Sequence, residues 1–137
     1  MATPVLPVRA ATLGASGDRS TDLARITADA VIAAPSAWNP NSGTTSCLRV
    51  EGSSMNPTLI DGDLVAVDAS LKDPDMVNGK IIVASHRKHG LLLGRFRRFA
   101  GTQMLESENR EYGPLVLGKG RDWRVLGKVL WLFRQTP

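Results

Sequence analysis

The sequence predicts a mainly β protein, and three stretches carry this prediction. Apolar side chains alternate with others in residues 64–68 and 91–99, and again through residues 123–133. A period of two places successive side chains on opposite faces of a strand. The chain has 137 residues, which suits one domain with a modest core, and its hydrophobic content of 42% is ordinary for a globular protein.

The N-terminal residues 1–41 differ in composition from the rest of the chain. Within residues 21–34 we expect either a short helix, with Thr21 or Asp22 near its N-cap, or an irregular extended segment. Prolines punctuate the whole region at four positions: Pro4, Pro7, Pro35 and Pro40. This composition predicts an arm laid across a domain rather than part of its core. The predicted boundary therefore separates an arm, 1–41, from a domain, 42–137.

The stretch 50–68 is the most informative part of the domain. A short strand ends in a glycine and two serines, a Met-Asn-Pro-Thr turn follows, and an Asp-Gly-Asp corner leads into the next strand. This order mounts the Ser54 hydroxyl on a tight turn at the lip of a sheet, where reactive groups are commonly presented. Two carboxylates, Asp61 and Asp63, are too few for a calcium loop, which needs about six oxygen ligands. We expect a turn there and no metal site.

Further along, two strands are predicted to form a hairpin. Residues 80–85 and 91–99 have strand character, and the turn between them contains His86, Lys88 and His89. Such a turn lies at the far end of the strands from a site in their middle. The simplest interpretation of this cluster is a solvated basic turn.

The last predicted strand is apolar on both faces. A strand of this kind is buried on both faces, or buried on one and paired with a partner on the other. Four apolar side chains are expected to share one of the faces: Val125, Val129, Trp131 and Phe133.

Four motifs occur in order along the domain. Gly-x-Ser-Met, Pro-Thr-Leu and Asp-Gly-Asp lie within residues 52–63, followed by V-N-G-K-I-I-V-A, by L-E-S-E-N with Tyr112 and Pro114, and by V-L-G-K-V-L-W. This order resembles the LexA/UmuD family of self-cleaving serine–lysine peptidases, which includes C-terminal domains of phage repressors and is related to signal peptidases. The resemblance covers roughly residues 47–134, and four ordered motifs are far more specific than one.

The resemblance implies a fold and a set of site residues. The fold is one of twisted antiparallel β-sheets with an extended N-terminal arm. Ser54 matches the nucleophile, and the backbone N–H groups of Ser53 and Ser54 would be the oxyanion donors. The other matched positions are Gly52, Met55, Pro57, Asp61, Gly62 and Asp63.

The general base departs from the family pattern. The family carries its catalytic lysine in a V-K-R-F strand, and the matching residues here are Leu-Gly-Arg-Phe, so Gly94 stands at the lysine position. A serine hydroxyl is a poor nucleophile unless a base takes its proton, and a buried neutral lysine does so in the family. Because loss of a general base typically costs about 10²–10⁴-fold in rate, we predict impaired self-cleavage.

The cleavage site also departs from the family pattern. The family's arm carries an Ala-Gly or Cys-Gly bond into the cleft, and residues 1–41 contain neither dipeptide. The nearest counterpart is a run of small residues, which makes Ala15, Ser16 and Gly17 the predicted cleavage region. A simple flexible leader is the alternative.

The resemblance implies a self-cleavage and dimerisation domain of a regulator of the SOS-response or phage-repressor type. A homodimer through the C-terminal strand is expected, with plain core packing of Trp131 and Phe133 as the alternative. A RecA-type filament or a DNA polymerase is the further partner that the family suggests. The competing interpretation is an active serine peptidase with a relocated base, namely His86, His89 or Lys88.

The net charge of +4 raises the question of nucleic acid binding. Basic residues cluster at Arg95, Arg97 and Arg98, and such clusters bind phosphates. They are equally the solvated face of a β-protein, and the sequence has no helix-turn-helix pattern, zinc-ligand spacing or stacking aromatic motif. We expect no DNA contact by this chain itself, and a basic β-domain that binds nucleic acid or protein remains an alternative.

The composition also bounds the compartment. No apolar run reaches the ~18 residues that a membrane-spanning helix needs, and the N-terminus lacks the charged and apolar regions of a signal peptide. Cys47 is the single cysteine, so no intrachain disulfide can form. We therefore expect a cytoplasmic protein without membrane contact, and no cofactor is predicted.

Overall fold

The computed structural model describes residues 2–19, 22–118 and 121–136. Within these residues the chain is mainly β, which confirms the predicted fold class. The helical segments are one α-helical turn, α1 (Pro74–Val77), and three 3₁₀ turns, Leu23–Arg25, Ser36–Trp38 and Ser42–Thr44. The strands are β1 (Ala2–Ala11), β2 (Ala30–Ala33), β3 (Thr45–Glu51), β4 (Leu64–Asp68), β5 (Ile81–His86), β6 (Gly90–Phe99), β7 (Thr102–Glu106), β8 (Leu115–Leu117) and β9 (Trp123–Phe133).

The strands form one sheet that closes on itself. Their order is β2-β1-β3-β4-β9-β5-β6-β7-β8, and β1 also pairs with β6 through Ala11 and Leu92. Six strands, β1-β3-β4-β9-β5-β6, therefore form a barrel, from which β7 and β8 extend beside β6. Strand β1 runs parallel to β3 and to β6, whereas the other pairs are antiparallel. The resemblance implied antiparallel sheets, and the parallel strand β1 makes this sheet mixed.

The N-terminal segment contributes to the core. Leu6, Ala10 and Ala11 of β1 are buried. Proline cannot donate to a ladder, yet Pro7 is accommodated because the register of β1 against β3 is interrupted between Val5 and Arg9. Residues 2–11 are thus a barrel strand rather than an arm on the surface. The division of the chain at residue 41 stays a prediction.

Between β1 and β3, the predicted alternatives for residues 21–34, a short helix or an extended segment, each occur in part. The Asp22 carboxylate accepts a hydrogen bond from the Ala24 N–H at 3.0 Å and caps the first 3₁₀ turn. The chain then becomes extended and forms β2, which pairs with β1. Thr21 lies outside the described residues.

The core has two parts. The first is the barrel interior, with buried side chains from all six barrel strands and from the β3–β4 turn. The second lies between the β5–β6 hairpin and the layer made by β7, β8 and α1. The barrel interior includes Leu6, Leu48, Val50, Met55, Leu59, Val65, Val67, Val83, Leu91, Leu93 and Leu126. The second part includes Val77, Ile82, Ala84, Leu92, Phe96, Leu105, Leu117 and Val125.

Strand β9 has the predicted bounds but not the predicted face. One extra β9 residue interrupts its register against β5, and another interrupts its register against β4. Each extra residue moves the following side chains to the opposite face. Val125 consequently packs in the second part of the core, Val129 packs against the barrel interior, and Phe133 is 48% exposed. The prediction that Val125, Val129, Trp131 and Phe133 share one face is therefore wrong.

A buried carboxylate joins the end of β4 to the segment before β3. Asp68 accepts hydrogen bonds from Asn41 Nδ2 and Thr44 Oγ1, each at 2.8 Å. It also accepts from the Ser70 N–H at 2.9 Å and from Ser70 Oγ at 2.7 Å. Burial raises the pKa of Asp68, but the hydrogen bonds from Asn41, Ser70 and Thr44 outweigh burial and hold the pKa below its usual value.

Asp68→Asn is expected to lower the free energy of unfolding at neutral pH by about 1.5–3 kcal/mol, because donors that face a carboxylate would meet an amide. The folded pKa of Asp68 lies below the unfolded value of about 3.9. Its contribution is therefore complete above that value and is lost as the pH falls through the folded pKa. Urea unfolding between neutral and acid pH should show a shallower acid loss for Asp68→Asn. Asp29→Asn, at an exposed carboxylate, is the control, and equal acid slopes for both variants and the unaltered chain would contradict the prediction.

Candidate active site

The matched nucleophile lies in the turn between β3 and β4. Ser54 is fully buried, and its Oγ has no hydrogen-bond partner among the residues described. An unpaired buried polar group costs about 1–3 kcal/mol. Groups of this kind in native proteins call for an explanation, and a role in catalysis is one of the recognised explanations.

The Asp-Gly-Asp corner holds this turn in place. The Gly52 N–H donates to Asp61 Oδ1 at 2.8 Å, and the Gly62 N–H donates to the Val50 carbonyl at 2.8 Å. On the other side of Ser54, Met55 is fully buried in the barrel interior. Pro57 follows in the same turn, after a cis peptide bond, and the Ser53 carbonyl accepts from the Asn56 N–H. The matched motif residues therefore build the turn.

The second corner carboxylate serves an ion pair. Arg134 donates to Asp63 through Nε at 2.8 Å and Nη2 at 2.6 Å, which ties the corner to the end of β9. The hydrogen bond from Arg134 holds the pKa of Asp63 below its usual value.

Over residues 2–19, 22–118 and 121–136, no group of three or more His, Cys, Asp or Glu side chains is arranged to hold a metal ion.

A turn of the N-terminal segment packs against the turn that holds Ser54. The Ala15 N–H donates to the Thr12 carbonyl at 3.1 Å, and Gly14 has the positive φ of +93° that this turn requires. The Ser54 N–H donates to Thr12 Oγ1 at 3.3 Å. A Cβ on Gly52 would lie 2.3 Å from that oxygen, so only glycine permits the contact. No feature of the sequence singled out Thr12, because the contact depends on where β1 enters the barrel.

The predicted cleavage region is split by the structure. Ala15 belongs to the turn beside Gly52, and Ser16 is exposed. Gly17 lies farther away, where its N–H donates to the His89 carbonyl at 3.1 Å. A Cβ on Gly17 would lie 2.0 Å from the Leu91 carbonyl oxygen, so Gly17 is fitted tightly to the β5–β6 hairpin. The cleavage region itself stays a prediction.

Gly94, which the resemblance places at the base position, lies in the middle of β6. Gly94 pairs with Ile82, and a Cβ at this position would lie 3.1 Å from Leu105 Cβ and 3.4 Å from the Glu106 carbonyl oxygen. The chain continues from Glu106 to Asn109, whose N–H donates to the Ser54 carbonyl at 2.9 Å. The segment after β7 therefore connects the surroundings of Gly94 with Ser54.

The basic hairpin turn lies away from this position. The last pair of the hairpin is His86–Gly90, four residues along β6 from Gly94, or about 13 Å at the rise of a strand. His86 Nδ1 accepts from the N–H groups of Lys88 and His89, at 3.1 and 3.3 Å. Burial and the neighbouring His89 lower the pKa of His86. In the part of the chain that the structure describes, none of these three side chains is hydrogen-bonded to Ser54 Oγ.

The arginine cluster on β6 is locally neutralised. Arg97 pairs with Glu106 at 3.2 Å, and Arg98 pairs with Asp75 at 2.5 Å. Arg95 likewise has a carboxylate partner. Because each guanidinium already faces an acid, these three residues present little net charge to a phosphate backbone.

Among the described residues, none of the helical segments has the length and apolar character of a membrane-spanning helix.

Comparisons with known proteins agree with the motifs. The model of the Peptidase S24-like family matches residues 10–130. The LexA repressor of Geobacter sp. (strain M21) is 36% identical over 96 residues, which cover 69% of this chain and 46% of the repressor. The LexA repressor of Leuconostoc mesenteroides is 36% identical over 69% of this chain and 42% of the repressor. The LexA repressor of Verminephrobacter eiseniae is 38% identical over 65% of this chain and 38% of the repressor. The chain thus spans less than half the length of these relatives. It belongs to the Peptidase S24-like family, as the resemblance to LexA-type proteins implied.

Proposed function

We propose that this chain is a LexA/UmuD-type regulatory domain whose self-cleavage is impaired. One observation carries the proposal: Ser54 has a buried hydroxyl without a hydrogen-bond partner among the residues described, while a glycine stands at the base position. A hydroxyl on a rigid turn that lacks an adjacent base is a weak nucleophile. The scaffold for acyl transfer is therefore retained without the proton acceptor.

In this proposal the N-terminal turn acts as a pseudo-substrate. Thr12 Oγ1 accepts from the Ser54 N–H, which together with the Ser53 N–H would otherwise face the oxyanion of a tetrahedral intermediate. The Thr12 hydroxyl oxygen thus accepts from an N–H group that catalysis would need for stabilising the oxyanion. The turn from Thr12 to Ala15, rather than Gly17, is the part of the segment that we place in the cleft.

We further propose a homodimer through the outer face of β9. Trp131 packs against Trp38 with ring centroids 5.6 Å apart and the ring planes tilted by 57°. Both Trp38 and Phe133 are about half exposed, at 52% and 48%. Trp131 Nε1 donates to Asn39 Oδ1 at 2.8 Å, which fixes the Trp131 ring. Exposed aromatic groups of this kind are typical of interaction sites. A RecA-type filament or a DNA polymerase would be the further partner in an SOS-response or phage-repressor setting.

Intact mass under denaturing conditions, after prolonged incubation at alkaline pH, tests the impairment. We expect the unaltered chain to keep a single full-length mass, because no base accepts the Ser54 proton. The Ser54→Ala variant is the control for chemical or contaminating cleavage. Fragments that appear from the unaltered chain and not from Ser54→Ala would overturn the proposal. They would mean that His86, Lys88 or His89 reaches Ser54 in another conformation.

A further inference from the structure

A half-buried ion pair lies directly beside the segment that holds Ser54. Arg95 donates to Glu108 Oε1 through Nε at 3.1 Å and Nη2 at 2.5 Å, and through Nη1 to the Gly79 carbonyl at 2.8 Å. The two side chains are only 28% and 26% exposed. A charge-assisted pair anchored at three donor atoms and shielded from water holds its position better than an exposed pair.

The residue after Glu108 contacts the nucleophile. The Asn109 N–H donates to the Ser54 carbonyl at 2.9 Å. The local turn at Asn109 is itself ordered, since its Oδ1 accepts from the Glu111 N–H at 3.0 Å and its carbonyl accepts from the Tyr112 N–H at 3.1 Å. A hydrogen bond to the carbonyl of Ser54 restrains the backbone of that residue and therefore the position from which its hydroxyl projects.

We infer that Arg95 is a positioning residue for Ser54 that acts through Glu108 and Asn109. The inference rests on the proposed function, because positioning matters only if Ser54 is the nucleophile. Arg95 follows the base position directly on β6, so one strand carries both the base site and the residue that orients the nucleophile turn. In a variant with a lysine restored at position 94, this coupling would hold the Ser54 hydroxyl at the correct distance from the lysine amine.

A neighbouring ion pair provides a matched control. Arg97 lies on β6, as Arg95 does, and Glu106 is the last residue of β7; the two side chains pair at 3.2 Å and are more exposed, at 47% and 38%. Among the contacts of the described residues, neither side chain is bonded to the segment 107–109. The two pairs thus share residue types and an arginine on β6, and they differ in their connection to Ser54.

The experiment uses Gly94→Lys as the background and measures the rate of self-cleavage. Arg95→Ala and Glu108→Ala are each expected to slow cleavage at least about 10-fold, since small misplacements of reacting groups carry penalties of up to about 10²-fold. The double variant should be no slower than either single variant, because the two residues act as one unit. Arg95→Lys, which keeps the charge without the fork, should give an intermediate rate. Arg97→Ala should leave the rate unchanged.

A second readout keeps the inference testable if Gly94→Lys does not cleave. Amide hydrogen exchange in the unaltered Gly94 chain is expected to be faster at Asn109 in Arg95→Ala and unchanged there in Arg97→Ala. Glu108→Gln replaces Arg95→Ala if the latter does not fold. Failure of Gly94→Lys to cleave would count against the part of the proposed function in which only the base is missing, and the exchange measurement would still decide the role of Arg95. Equal effects of Arg95→Ala and Arg97→Ala on Asn109 exchange, or no effect of either, would overturn the role of Arg95.

Discussion

Replacing Gly94 with lysine is expected to make this chain cleave itself at alkaline pH. The substitution supplies the proton acceptor that the buried, unpartnered Ser54 hydroxyl lacks among the described residues, and a general base contributes about 10²–10⁴-fold. Burial disfavours the charged amine, so the lysine should have a pKa below its usual value of about 10.4. The rate should therefore rise with pH through that pKa and level off above it.

The new side chain must fit a site that is closed around glycine. Its Cβ would lie 3.1 Å from Leu105 Cβ, so β6 and β7 must move apart by a few tenths of an ångström. Gly94→Ala makes the same steric demand without the amine, and Gly94→Lys combined with Ser54→Ala removes the nucleophile. We expect fragments only from Gly94→Lys. Their masses should place the cut in the turn from Thr12 to Ala15.

Two outcomes would contradict this prediction. If Gly94→Lys folds and remains intact across the alkaline range, restoring the base is not sufficient, and the N-terminal segment lacks a cleavable bond. If the Gly94→Lys, Ser54→Ala double variant also cleaves, Ser54 is not the nucleophile. Far-ultraviolet circular dichroism of all variants confirms that the comparison is made between folded chains.

Gly127→Ala is expected to destabilise the barrel strongly, although it adds only one methyl group. A Cβ on Gly127 would lie 2.6 Å from the Asp68 carbonyl oxygen and 2.7 Å from Val67 Cγ1. The first contact is with backbone, which cannot rotate away, so β4 and β9 must separate where Val67 is fully buried. Overpacking of this kind typically costs about 1–3 kcal/mol and occasionally more, and we expect a loss of about 3 kcal/mol in the free energy of unfolding.

Urea unfolding followed by tryptophan fluorescence measures this loss. Gly43→Ala is the matched control, because a Cβ at Gly43 meets nothing within 4 Å. That variant should be neutral or slightly more stable, since alanine restricts the unfolded chain more than glycine does. Equal midpoints for Gly127→Ala and Gly43→Ala would mean that β9 can shift its register freely at this point.

Much of the strand content could be predicted from local pattern. Residues 64–68 and 123–133 match β4 and β9, and the hairpin strands β5 and β6 begin or end one residue away from their predicted bounds. A period of two is a local property, and these strands express it without help from distant residues. The same pattern cannot report extra residues in a strand, which is why the common face predicted for β9 was wrong.

The turn that holds Ser54 was predictable from its motif residues, whereas its contacts with distant residues were not. Gly52, Ser54 and Asp61 lie within ten residues of one another, so their turn could be recognised as a unit. Thr12 reaches Ser54 from 42 positions away, and the contact exists only because β1 enters the barrel parallel to β3. Prolines near the N-terminus indicated an arm, whereas long-range pairing made the same residues a strand.

The closure of the barrel by β1 gives a cut in the turn from Thr12 to Ala15 an unusual product. The N-terminal piece would contain β1, a barrel strand paired with β2, β3 and β6, with Leu6 and Ala10 in the core. Cleavage would therefore yield a two-piece protein, in which a short peptide and the remainder complement one another as fragments of a split protein do. The signal sent by such a molecule would depend on how slowly the peptide dissociates and not on the chemical step alone.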